Sequence, residues 1–153
     1  MIVVSDATPI TTLMKAGETD LLQQLFGSVM IPRAVAVELL AFHEQLPAFI
    51  NIRTVSEPGQ SPPGFERLGK GEVEAICLTK EVGASFLIID DRRARIAATS
   101  LGLKCIGLLG LLVLAKQRNQ LSSVSTMIAV LETKGGLYLS EEVKAEAARI
   151  AGE

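Results

Sequence analysis

Phe86-Leu87-Ile88-Ile89-Asp90-Asp91-Arg92-Arg93-Ala94-Arg95, preceded by Leu68-Gly69-Lys70-Gly71-Glu72-Val73-Glu74-Ala75-Ile76, is the segment that decides the fold. Its apolar run of four residues is unbroken and closes on two carboxylates. A strand buried on both faces of a parallel sheet reads this way, because both sides of its pleat meet helices. Upstream, residues 69–76 read as the start of a helix with Glu72 in its first turn. Open α/β sheets bind ligands beyond the carboxyl ends of their strands. The two carboxylates therefore stand where such a sheet does its chemistry. At the N-terminus Ile2-Val3-Val4-Ser5 followed by Asp6 repeats the design.

Outward from this segment the chain alternates strand and helix signals. After Asp6, Pro9 suits a first helical turn, Ile10, Leu13 and Met14 share one helical face, and Gly17 ends the helix. A second helix is expected over 18–26, a strand over 29–31, and a helix opened by Pro32 that carries Val35, Val37, Glu38, Leu39, Leu40 and Phe42. A strand over 50–55 is placed at a sheet edge. Pro58, Gly59, Pro62 and Pro63 mark a loop over 56–64. Past Arg95, a helix lined by Ala94, Ile96, Ala97 and Leu101 leads to a strand over 104–106. Helices over 108–117, 124–132 and 140–150 follow. The expected architecture is a three-layer α/β domain with a central parallel sheet in which strands 2–5 and 86–89 are adjacent at the middle. Residues 1–153 form a single domain in this reading.

Composition narrows the function. With 153 residues, 48% hydrophobic and 21% charged, the chain is long and apolar enough for a full core. Trp is absent and aromatics are 4%, so stacking platforms for single-stranded bases are not evident. The net charge of −2 argues against a broadly basic nucleic-acid surface, though not against a local cationic patch. Cys77 and Cys105 lie in apolar runs and read as small buried hydrophobes, not as a disulfide framework or zinc site. The N-terminal apolar run is too short for a secretory signal, and residues 105–115 fall short of the roughly 20 residues of a membrane span. A cytoplasmic protein without membrane contact is expected.

Five acids recur at comparable places: Asp6 and Asp90-Asp91 at strand exits, Glu38 and Glu72 on helices. Each has an ordinary explanation. Glu72 complements the positive end of its helix, Asp6, Asp90 or Asp91 could cap the helix that follows, and Glu38 could face solvent. Gathered together they would repel one another without a cation. Mg²⁺ and Mn²⁺ prefer such hard oxygen ligands. Arg92, Arg93 and Arg95 stand beside the acids and suit substrate phosphates, although salt bridges or plain solvation would explain them equally. The sole histidine, His43, reads as a surface or packing residue, and no Ser-His-Asp arrangement competes.

The blocks GKGEVEAI (69–76), LIIDDRRAR (87–95) and GLLGLLVLAK (107–116) carry a resemblance to the PIN-domain family, and within it to VapC-like toxins. The resemblance implies a parallel sheet between helices with an acidic site, and a ribonuclease dependent on Mg²⁺ or Mn²⁺. Asp6 matches the first family acid, Glu38 the acid after the second strand, Glu72 the acid opening the helix before the fourth strand, and Asp90 and Asp91 the acids at that strand's end. Asp6, Glu72, Asp90 and Asp91 are the implied metal ligands and Glu38 a further catalytic acid. Ile89-Asp90-Asp91 lacks the Thr found in many PIN domains, which leaves open whether Asp90 or Asp91 ligates directly. A type II toxin role would add a cognate antitoxin and a homodimer to the RNA substrate. The rival within the fold is a PIN-like interaction module without catalysis. A receiver-type phosphoacceptor domain fits poorly, since its acid pair follows strand one, where this chain has the single Asp6.

Overall fold

The protein is described by a computed structural model covering residues 1–56 and 64–153. Of the loop expected over 56–64, residues 57–63 lie outside the described residues. The elements run β1 (Val3–Ser5), α1 (Ala7–Ala16), α2 (Asp20–Phe26), β2 (Val29–Ile31), α3 (Arg33–Leu40), β3 (Ile50–Ile52), α4 (Lys70–Val82), β4 (Phe86–Ile88), α5 (Arg92–Ser100), β5 (Cys105–Ile106), α6 (Leu108–Gln117), α7 (Val124–Lys134) and α8 (Glu141–Ile150).

The five strands form one parallel sheet in the order β3-β2-β1-β4-β5, flanked by helices in a three-layer α/β arrangement. β1 and β4 are adjacent at its middle, in the register Val3 with Phe86, Val4 with Leu87 and Ser5 with Ile88. Val3, Val4, Leu87, Ile88 and Ile89 are all buried, as a strand covered on both faces requires. β3 is an edge strand, shorter than the 50–55 expected, because after Ile52 only the Arg53 N–H continues the ladder, to the Ile31 carbonyl.

The connections locate the site. From β1 the chain steps to β2 and then β3 on one side, and α4 carries it back past both to β4 on the other side of β1. Progression along the sheet therefore reverses between β1 and β4. At such a reversal the following loops part in opposite directions and leave a crevice beyond the strand ends.

Helix boundaries follow local chemistry. Pro9 sits in the first turn of α1, where its missing N–H has no intrahelical acceptor to lose. Gly17, at φ 71°, closes α1 by donating to Leu13 and Met14 carbonyls, and a left-handed residue there favours glycine. Two expectations are corrected. The helix expected to carry Phe42 ends at Leu40, so Phe42 lies beyond it and is 82% exposed; within α3, Val35 and Leu39 are buried one turn apart and Val37 and Leu40 point outward. In α5, Ala94 and Ala98 take the inward stripe, and Ile96 is 61% exposed instead of lining the core. The small alanines let α5 sit close, which fixes the helix phase. Cys77 and Cys105 are free and only half-buried. Among the described residues no helix is long and apolar enough to cross a membrane.

Candidate active site

Asp6 follows β1 directly. Its N–H donates to the Ile88 carbonyl at 2.9 Å, so the sheet ladder sets its position against the end of β4. It occupies the N-cap place of α1, yet its side chain makes no capping hydrogen bond. The capping explanation therefore does not account for this acid, which is also buried. Its pKa is pushed up to about 6, first by burial, against a partial lowering by the Ala7 N–H, with the charges of Glu38, Asp91 and Asp90 adding to the rise.

Glu38 and Glu72 are brought to Asp6 by the packing of α3 on α4. The two helices lie antiparallel: the Ala34 N–H donates to Glu74 Oε1 at 3.1 Å, while one turn further along α3 the Glu38 carboxylate lies against Gly71. A Cβ at Gly71 would collide with Glu38 Oε1, so glycine is what admits that carboxylate. Glu72 is the third residue of α4, and the N–H of Gly69, the N-cap, partly lowers its pKa. Its pKa is nonetheless pushed up to about 6, by burial first and then by Asp91, Asp6 and Glu38. Glu38 is raised as well, mainly by burial.

Asp90 and Asp91 turn to different partners. Asp90 Oδ1 accepts from the Leu108 N–H at 2.9 Å, at the positive end of α6. Burial raises its pKa, and the Leu108 N–H and Arg95 charge oppose that rise. A Cβ on Gly107 would lie 2.6 Å from Asp90 Oδ1 and 3.3 Å from Arg95 Nη1. Asp91 Oδ2 accepts from the Ala94 N–H at 3.0 Å and caps α5. For Asp91 the ordinary capping role is real, and its charge still reaches Asp6 and Glu72.

Of the three arginines, Arg92 and Arg95 line a cavity of about 630 Å³ with Asp90, whereas Arg93 is not part of its wall. None of the three forms a salt bridge among the described residues.

The donor chemistry suits a hard divalent cation: all ligating candidates are carboxylates, and Asp6 and Glu72 resist ionisation partly through the charges of neighbouring acids, Glu38 and Asp91 acting on both. Asp90 and Asp91 each keep one carboxylate oxygen free of the backbone bonds described above. Among the described residues, however, no three acidic, His or Cys side chains are drawn together as a metal-holding group. The acids share a crevice and feel each other's charge without already forming a coordination shell.

Three residues of the site escape a sequence reading. Glu74 is a buried carboxylate serving the start of α3, and its alternation with Glu72 in GEVE was the available signal. Gly71 and Gly107 make room for Glu38 and Asp90. Gly107 has φ −89°, a conformation open to any residue, so close approach is its reason for being glycine.

A family model described as a PIN domain matches residues 2–153. Among solved structures, a PilT N-terminus domain protein from the archaeon Sulfolobus solfataricus P2 is similar in fold, with a TM-score of 0.53 and 21% sequence identity over 72% of this chain and 90% of that one. Comparison with curated proteins found no match.

Proposed function

Since the chain belongs to the PIN-domain family, whose members are generally nucleases, we propose that it is a divalent-metal-dependent ribonuclease acting at the β1–β4 crevice. The observation that supports this best is that the charges of Glu38 and Asp91 bear on both Asp6 and Glu72 at the end of β1, with Asp6 and Glu72 both held near a pKa of 6. Purely structural carboxylates would not be gathered at a sheet reversal at such a cost. Asp6, Glu72, Asp90 and Asp91 would hold Mg²⁺ or Mn²⁺. A cation bound there supplies Lewis acidity for hydrolysis of a phosphodiester. Glu38, raised by burial, is assigned to proton transfer. Arg92 and Arg95 hold phosphate oxygens of the substrate, and the backbone bonds to Asp90 and Asp91 keep those carboxylates oriented.

The test is cleavage of RNA by the wild-type protein in Mn²⁺, in EDTA, and by Asp6→Asn in Mn²⁺. Cleavage only in the first supports the reading. Equal cleavage by Asp6→Asn removes these acids from the reaction. The rival interaction module is favoured by one feature, the engagement of both Asp90 and Asp91 with backbone N–H groups. Isothermal titration with Mn²⁺ separates the two: a protein that binds no Mn²⁺ belongs to the second reading.

We further infer a toxin of a type II toxin–antitoxin pair, acting as a homodimer and silenced by a cognate antitoxin. Support comes from the likeness of residues 69–76 and 87–95 to VapC-like toxins. Growth arrest on expression, relieved by co-expression of the product of an adjacent small gene, is the expected outcome. Normal growth on expression would remove the toxin role.

A further inference from the structure

Arg92, Arg95, Ile96, Thr99 and Ser100 are spaced i, i+3, i+4, i+7 and i+8, which places them on one face of α5. That face opens on the cavity of about 630 Å³ that Asp90 also lines. Its chemistry is ordered along the helix. Two guanidiniums that form no salt bridge among the described residues lie next to the acids, and the two hydroxyl residues lie two turns from Arg92. Between them Ile96 is 61% exposed, although its side chain would have been welcome in the core. The hydroxyls contribute less: Ser100 donates to the Ala97 carbonyl, and the Thr99 hydroxyl acts on the Cys105 thiol, opposing the rise of its pKa. The cationic and apolar groups are therefore what the cavity offers a ligand.

A ligand matching this wall has anionic oxygens for Arg92 and Arg95 and a flat or aliphatic surface for Ile96. An inorganic anion satisfies only the first, and an apolar peptide only the second. A nucleotide satisfies both. We propose that the outer face of α5 is a subsite for the nucleotide next to the scissile phosphate of a single-stranded RNA. Its phosphate meets Arg92 and Arg95, and its ribose or base rests on Ile96. This rests on the ribonuclease reading, and it adds a strand path along α5, away from the acids. It also separates Arg92 from Arg93, which the sequence presents as equivalent neighbours.

Arg92 is the cleaner probe, because Arg95 also acts on Asp90. The experiment measures binding of a fluorescent single-stranded oligoribonucleotide to metal-free protein in EDTA, across a range of salt. For Arg92→Ala the slope of log affinity against log salt falls by about 0.7, one phosphate on a single strand. The matching loss of affinity at 0.1 M salt is about fivefold. Ile96→Ala weakens binding by about fourfold or more, the worth of at least one covered methylene, and leaves the slope unchanged. Arg93→Ala keeps wild-type affinity and slope. Equal losses in Arg92→Ala and Arg93→Ala would reduce the effect to general charge and overturn the subsite. So would an unchanged Arg92→Ala, or a wild-type protein that binds no RNA. Cleavage in Mn²⁺ is read separately. A wild-type protein that binds with this pattern but does not cleave keeps the subsite and loses the ribonuclease reading. One that cleaves equally well with and without Arg92 and Ile96 does the reverse.

Discussion

Replacing Gly107 with alanine should separate the position of Asp90 from the stability of the fold. The added Cβ would stand 2.6 Å from Asp90 Oδ1, against about 3.4 Å for ordinary contact, so the oxygen must retreat by about 0.8 Å. A retreat of that size along its 2.9 Å bond from the Leu108 N–H takes it beyond hydrogen-bonding range. A bond to a charged acceptor contributes about 1.5–3 kcal/mol, and the stiffer unfolded chain of the alanine variant returns about 0.4–1 kcal/mol. With Asp90 partly solvated, a net loss of about 1 kcal/mol is expected. Activity should suffer more, because a misplacement near 1 Å costs on the order of 100-fold in rate. Gly110→Ala is the control. Its Cβ would press on Ile106 Cγ1 at 2.8 Å, a conflict with an apolar side chain and not with a carboxylate, so it should lose stability without losing activity. The measurements are urea unfolding, Mn²⁺ titration and RNA cleavage on both variants. Wild-type Mn²⁺ affinity and cleavage in Gly107→Ala would refute the reasoning, as would equal activity losses in the two variants.

Asp6→Asn should abolish activity and stabilise the metal-free protein. With a folded pKa of about 6 against 3.8 for the unfolded chain, the native state binds the extra proton between these values. Wild-type stability should therefore fall as pH rises from about 4 to about 6 and then level off, and the variant should lack that slope. The difference at neutral pH is on the order of 2–3 kcal/mol, read from melts in EDTA. Glu72 contributes a slope of the same sign over the same range. Gly71→Ala should displace the Glu38 carboxylate and reduce cleavage while relieving its partial desolvation, visible as a carboxyl resonance returning toward its ordinary pKa. Glu74→Ala should cost about 1–3 kcal/mol by orphaning the Ala34 N–H, whereas Glu74→Gln, which keeps an acceptor, should cost clearly less by the same unfolding measurement.

Much of the chain was legible locally. An apolar run ending in Asp, a proline in a first turn and glycine after a last turn are signals carried by neighbouring residues. They placed β1, β2, β4, α1 and α6 within a residue or two. Helix phase was less legible. The segment 94–98 holds Ala, Ile and two further alanines, and periodicity cannot tell which of them a close-packed neighbour will accept. Ala94 and Ala98 won that contest because small residues permit close approach, and Ile96 was left outside. The same ambiguity covers Val37 and Leu40, which point outward from α3.

For the site, the sequence determined which acids exist, and that two of the acidic positions close strands. The resemblance of residues 69–76 and 87–95 to PIN domains pointed to their joint use. The sequence could not decide what each carboxylate touches. Asp6, Asp90 and Asp91 had the same capping explanation available. Only the tertiary structure made Asp91 a cap, left Asp6 uncapped, and sent Asp90 to the start of α6. Those outcomes depend on strand order and helix packing, which join residues 18 positions apart, as from Asp90 to Leu108, or 40, as from Ala34 to Glu74. The roles of Gly71 and Gly107 belong to the same class. Each is glycine because a carboxylate from elsewhere in the chain approaches it, and that distance is a property of the packed sheet and helices rather than of the local sequence.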